Sequence, residues 1–421
     1  MPSYLDTRHL LSRTGFGAPH SEIEAVQGKS WPQAVNDIVD ATPTPLAPDP
    51  SIPNSWDAYN DMTNYWLDRA RERPNQLSEK IVLFWHGTLC SSLYKVGRHE
   101  SMFDQNQILR RKGLGKFEDL ILDVSLDPAM LVYLDNFRNH AGSPNENFSR
   151  ELMELFTVGV GQYSEEDVKE SARAWTGETI SSDYQYVFKP SLHDGGSKTF
   201  LGRTGNLRGH DVIKELLYGR TADAHSKFVA RKLWSFFAYP NPGDRVVSDI
   251  ASTYRSSGLN IREAVRAILM HPEFLSPQAK QGIVRGPIEY AVASFRHAKF
   301  QFSVQRPLWM LDDMGQEPYA PPNVSGWHQN EAWLTESAIW AKGRFVNNIK
   351  WKVMDRGDTP STDGQSDAAV VNACLNYLDV GEISNELRTI LTDFAQSESN
   401  PYHKKSGIIY LTLLSPEMAV A

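Results

Sequence analysis

The sequence has little cysteine. Its two thiols, Cys90 and Cys374, stand far apart, and neither belongs to a CxxC pair, so no thiolate zinc site is written here. One disulfide between them stays open, because spacing alone does not decide it. No run approaches the roughly 18 apolar residues that span a bilayer. The opening "MPSYLDTRHLLSRTGFG" lacks the apolar core of a signal peptide. A basic excess is missing too: the net charge of -8 speaks against a face for nucleic acid. There is no GxSxG elbow, no GxxxxGK[ST] phosphate loop and no GxGxxG after a strand. HExxH, HxxxH and the di-iron ExxH are absent, and no cofactor is implied. No repeat of fixed period occurs.

What is present is an ordinary globular balance, with 421 residues and room for a large core. Tryptophan is the one enrichment. Eleven of them offer stacking platforms for sugars, although large helical proteins usually bury such rings in their cores.

The pattern along the chain is mainly α. Residues 1–40 read as an N-terminal segment of two helices, with Ser21 capping one and Glu24 three residues on. Residues 41–55 are a Pro-rich linker. Residues 56–350 form the main helical domain. Its stretch "SEKIVLFWHGTLCSSLY" is apolar almost all round, which predicts a buried helix. Asp127 followed by Pro128 is a helix start. Asn147 is read as the cap of a helix to about Phe156, and Ser164 with Asp167 as the capping box of the next. Residues 183–202 change to alternation around a Gly-Gly turn, a small β-hairpin insertion. After the polar loop 355–367, residues 351–421 finish as a C-terminal helical extension.

The segments "HLLSRTGFG", "FWHGTL", "YLDN", "NENFSRELMELFTVGVGQYSEEDVKESARAWTG", "HDGGSKTFLG", "ARKLWSFF" and "PPNVSGWHQNEAW" follow one another in a familiar order. From about residue 7 to about 350 the chain resembles the bacterial family called domain of unknown function 1800. That resemblance implies an exported protein, periplasmic or secreted, working on a polymer beside a sulfatase-like partner. One departure is Gly87, where members commonly carry a larger polar residue. The resemblance brings positions but no reaction.

The central motif supplies the candidate chemistry. Phe148, Leu152, Leu155 and Phe156 share one helical face. Arg150 and Glu154 point away and suggest an exposed i,i+4 pair. Glu151 lies at the edge of the apolar face, where partial burial raises a carboxyl and suits a general acid. Glu146 precedes the helix, flanked by Asn145 and Asn147, and Asp135 ends the preceding helix. His86 follows Phe84 and Trp85 on the buried helix; such a residue is more often a core histidine than a catalyst. Arg173, His193, Asp194, Lys198, Trp327 and Trp333 complete a set of candidate substrate contacts.

Three readings compete. In the first, Glu151 as acid and Glu146 or Asp135 as base or nucleophile, with His86 nearby, hydrolyse a polysaccharide or glycan. In the second, His86, Glu151, Glu154, His193 and Asp194 supply metal ligands. In the third, the motif is a buried polar network in a non-catalytic scaffold that binds a glycan or partner.

Overall fold

Ser3 starts the helix Tyr4–Thr14 through a reciprocal box with Asp6, and Ser30 with Gln33 starts Trp31–Val39. His20–Val26 lies between them, so this segment holds three helices rather than two. Ser21 does not cap it. Pro19 occupies the cap, and the Ser21 hydroxyl donates to Asp379 instead. The Pro-rich linker falls largely outside the described residues, which are 1–44, 56–280, 282–305, 308–362 and 364–421 of this computed structural model.

The helices Trp56–Arg71, Gln76–His86, His99–Lys112, Phe117–Ser125 and Pro128–Tyr133 follow. Every residue of Gln76–His86 is buried, as its apolar circumference requires. Its two charges therefore need partners inside. Glu79 accepts from Arg69 and Arg110, and Lys80 pairs with Glu289. Asp127 caps Pro128–Tyr133 by accepting from Met130 N at 3.1 Å.

Asn147 begins its helix rather than capping it, and Glu146 stands in the cap position without a side-chain capping bond. Beyond Glu151 the backbone widens into a π-helix over Leu152–Thr157. The Ser164–Asp167 box forms as expected and starts Glu165–Ala174. The β insertion is two antiparallel ribbons, not one. Glu178–Ile180 pairs with Tyr186–Phe188, and Lys198–Phe200 with Arg203–Gly205. The Gly195-Gly196 pair turns neither. Tyr184 (φ +58°) bends the first ribbon, and Leu201 and Gly202 (φ +49° and +90°) bend the second.

The second half packs Ala222–Phe237 against Asp244–Ser256 and Ile261–Met270, then the buried Pro287–Ala298 against Glu336–Asp355. The chain's two ends meet. Arg285 N donates to Ala419 O (2.9 Å), and Arg8 Nη2 donates to Glu417 O (3.1 Å). One core extends from Tyr4 to Met418, with a smaller apolar cluster from Val370 to Ile408. Cys374 belongs to the second of these, and Cys90 is buried elsewhere; both are free, so the disulfide left open by the sequence does not form. Among the described residues no helix is long and apolar enough to cross a membrane.

Candidate functional site

The central helix buries Phe148, Leu152 and Phe156, and the Phe148 ring meets Trp175 edge-on at 4.9 Å. Glu151 is half-buried at the edge of this face. Burial first, and Glu154 second, raise its carboxyl, while Arg150 works the other way. Its charge is also felt by Tyr133, whose hydroxyl is pushed up to about 12 by burial, Cys90 and Glu151. Arg150 does not pair with Glu154. It holds Glu165 at 2.8 Å and Glu146 at 3.1 Å on the surface, and Glu154 accepts from Tyr163 at 3.4 Å. The Arg150 guanidinium is already engaged by Glu165 and Glu146.

Asp135 has a left-handed backbone (φ +59°) and accepts from Lys95 at 2.7 Å. The asparagines hold the chain before the helix. Asn145 N donates to Asn139 Oδ1 (2.9 Å), Asn147 N to Asn145 Oδ1 (2.9 Å), and Asn147 Nδ2 to Leu134 O (3.3 Å).

The β insertion has its own network. Arg173 binds Asp194 (2.7 Å) and Glu170 (2.7 Å), and Glu170 accepts from Thr199 N (2.8 Å). Lys198 Nζ donates to the carbonyls of Asp194 and Gly196. His193 Nδ1 lies 2.8 Å from Thr176 O, a contact that requires the proton on that nitrogen. These five side chains staple the ribbons to the helix Glu165–Ala174.

His86 is sealed in the core. Its ring sits among Trp66 (5.4 Å), Tyr319 (5.5 Å) and Trp327 (5.3 Å), and neither nitrogen has a hydrogen-bond partner among the described residues. Burial holds it down to about 3, so it is neutral at physiological pH. Among the described residues no group of three or more His, Cys, Asp or Glu side chains is placed to hold a metal ion. The ligand set of His86, Glu151, Glu154, His193 and Asp194 therefore does not assemble: His86 is enclosed by rings, and the last two belong to the ribbon staple.

Two cavities flank Trp327. The first, of about 200 Å³, is walled by Phe84, Phe236, Trp327 and Trp333, with Gln316 and Glu289 among its polar groups. Glu289 accepts from Lys80 and from Gly286 N (3.1 Å). Burial disfavours its charge, but Lys80 holds the carboxyl below its ordinary value. Lys80 itself lies against the Phe16 and Phe236 rings, at 5.3 and 5.4 Å. The second cavity, of about 430 Å³, is bounded by Tyr94, Lys95, Tyr133, Asp312, Glu317 and again Trp327. The Tyr94 hydroxyl donates to Glu317 at 2.6 Å.

The expected set thus separates. Trp327 and Trp333 share one cavity. Asp135 bonds Lys95, a wall of the other, while Glu151 lines neither. Glu146 and Arg150 form a surface ladder, and His86 lies beneath Trp327. The sequence reading missed Glu289, Lys80, Tyr94 and Glu317. The available signal was the pair Glu79-Lys80 inside an otherwise apolar helix, since buried charges demand buried partners.

Trp327 is positioned by a glycine contact. A Cβ on Gly326 (φ +89°) would lie 2.1 Å from the Gly87 carbonyl oxygen, and both are backbone-constrained. Gly326→Ala is expected to cost about 2–3 kcal/mol, from left-handed strain and overpacking, measured by urea unfolding. Wild-type stability in that variant would refute the contact.

A family model described as Protein of unknown function (DUF1800) matches residues 9–420. No curated protein and no solved structure matches the chain.

Proposed function

The chain belongs to the DUF1800 family, whose description assigns no activity, and from the site itself we propose that it binds a glycan chain across Trp327 and hydrolyses it by carboxylate acid–base chemistry. One observation carries this reading: Trp327, largely buried and packed on His86, is a wall of both cavities, so a single indole borders both spaces. Aromatic faces and hydrogen-bonding carboxylates are what sugar rings require, apolar above and below and polar at the rim. Tyr94, Tyr133, Trp327 and Trp333 supply the first. Glu289, Gln316, Asp312 and Glu317 supply the second.

Within this reading Glu151 is the acid. Burial raises its carboxyl, as a proton donor needs. Asp135, held beside the second cavity by Lys95, is the base or nucleophile. Glu146 is the weaker choice, because Arg150 already engages it at the surface. An exported protein acting beside a sulfatase-like partner belongs to the same reading.

A second reading, a glycan-binding scaffold without turnover, is favoured by a different observation. Arg173, Asp194 and Lys198 are spent on internal bonds, and His193 is tied to Thr176 through its Nδ1 side. Reducing-end release from a panel of polysaccharides separates the two. The hydrolase reading expects turnover by the wild type and at least a hundredfold loss in Glu151→Gln, with the same melting temperature. Turnover unchanged in Glu151→Gln sinks the assignment of Glu151. Binding without turnover by the wild type selects the scaffold.

A further inference from the structure

The chain's two ends close over a small, partly open cavity of about 30 Å³, whose lining does not include Trp327. Arg285 lines it and is almost fully buried. Its Nη1 donates to Met418 O (2.6 Å) and its Nη2 to Ser12 Oγ (3.2 Å). Neither acceptor carries charge. The carboxylate that acts on Arg285 is Glu289, which also serves Lys80 and Arg13. Arg8, a second wall of the cavity, adds charge of the same sign.

The acids at this place do not balance the cations. Glu417 accepts from Ser384 N (3.2 Å) and Ser384 Oγ (2.7 Å) and acts on Arg8. Glu382 is exposed; its backbone oxygen accepts from Arg8, and its charge also acts on Arg8. Among the described residues four cations, Arg8, Arg13, Lys80 and Arg285, thus face three carboxylates, Glu289, Glu417 and the exposed Glu382. Buried positive charge in such excess is strongly disfavoured unless an anion joins it.

The cavity also holds donors without acceptors. Thr412 Oγ1 and Ser415 Oγ both line it, are buried, and have no hydrogen-bond partner among the described residues. Ser12 Oγ accepts from Arg285 and retains its own proton. The other titratable walls are occupied. Tyr4 Oη is bonded to His20 Nδ1 (3.1 Å), and His297, neutral because burial holds it down to about 4, directs Nδ1 to Leu378 O (2.9 Å). The volume admits about two water molecules or one monatomic ion and excludes a sulfate or carboxylate ligand.

We infer that this cavity is a binding site for a monatomic anion, a halide such as chloride, held by Arg285 and the hydroxyls of Ser12, Thr412 and Ser415. The ion ties together the helix Tyr4–Thr14, the start of Pro287–Ala298 and the helix Pro401–Leu414. It therefore links chloride concentration to the closure of the chain's ends, independently of any reaction at Trp327.

Bromide is the probe. Crystals of the full chain soaked in sodium bromide are expected to give an anomalous peak beside Arg285 and Ser415. In solution, the melting temperature in sodium chloride should exceed that in sodium gluconate of equal ionic strength by roughly 1–3 °C. Thr412→Val/Ser415→Ala, which keeps every charge, should abolish both signals while remaining folded. Water alone at the position, or equal melting temperatures in the two salts, overturns the site. A bromide peak that persists in the double variant also overturns it, as an adventitious ion only.

Discussion

Glu79→Ala is expected to lose about 3–5 kcal/mol of folding stability, the usual cost of leaving a buried charge without its partner. The Glu79 carboxylate is fully enclosed. It accepts from Arg69 Nε at 3.1 Å, and from Arg110 Nε and Nη2 at 2.7 Å each. Burial works against the Arg110 charge, and Glu79 more than offsets this. Removing the carboxylate strands two guanidiniums inside the bundle of Trp56–Arg71, Gln76–His86 and His99–Lys112. The second half of the cost is geometric, since Arg69 also holds Thr44 O (3.0 Å) and Arg110 holds Gln107 (3.0 Å). Urea unfolding measures it. A loss below about 1 kcal/mol, typical of exposed pairs, would mean that water reaches this group.

Asp127 gives the second large effect, and it is one of pH. One oxygen accepts from Met130 N and Gln105 Nε2, and the other finds no partner among the described residues. Burial outweighs these bonds and pushes the carboxyl up to about 7. The unfolded chain ionises this group near 3.9. The folded state therefore holds a proton that the unfolded state has released, between roughly pH 4 and pH 7. Its contribution is fully favourable below that window and fades as pH rises through it, by roughly 4 kcal/mol in all. Asp127→Asn keeps an oxygen at the helix cap and has no charge to bury. It should be more stable than the wild type at pH 8, with the difference shrinking toward pH 5. The buried histidines His9, His225 and His297, held low by burial, act in the opposite direction as pH falls. They are common to both proteins and cancel in the comparison. A constant difference between pH 5 and 8 would show that Asp127 is ionised throughout.

Local chemistry was legible in the sequence where local rules decide the outcome. An apolar circumference predicted the burial of Gln76–His86, and Asp127-Pro128 and Ser164–Asp167 marked true helix starts. Where two backbone forms share one pattern, the reading failed. Nothing in "LMELFT" distinguishes π from α, and nothing local shows that Glu165 and Glu146 take Arg150 in place of Glu154. The ribbon turns were misplaced because a non-glycine, Tyr184, adopts positive φ while the conspicuous Gly-Gly pair does not turn a strand. Ser21 offered a cap that a distant acid, Asp379, took over.

The candidate site was legible in part for the same reason. Trp327 and Trp333 were singled out as stacking residues, and both do wall a cavity. The carboxylate that shares it, Glu289, lies in "RGPIEY", which announces a helix start and no more. Its burial and its pairing with Lys80 depend on contacts more than two hundred residues apart, which no local pattern encodes. His86 is similar: the sequence shows a histidine on an apolar helix, but only the packing brings the rings of Trp66, Tyr319 and Trp327 around it.

The central claim is that a glycan chain lies across Trp327, and affinity electrophoresis through gels cast with individual polysaccharides tests it most directly. The account predicts that at least one neutral or acidic polysaccharide retards the wild type. Trp327→Ala and Trp333→Ala, each verified as folded by its melting curve, should migrate as in a gel without polysaccharide. Absence of retardation by every polysaccharide in a broad panel, or retardation that survives both substitutions, would contradict it.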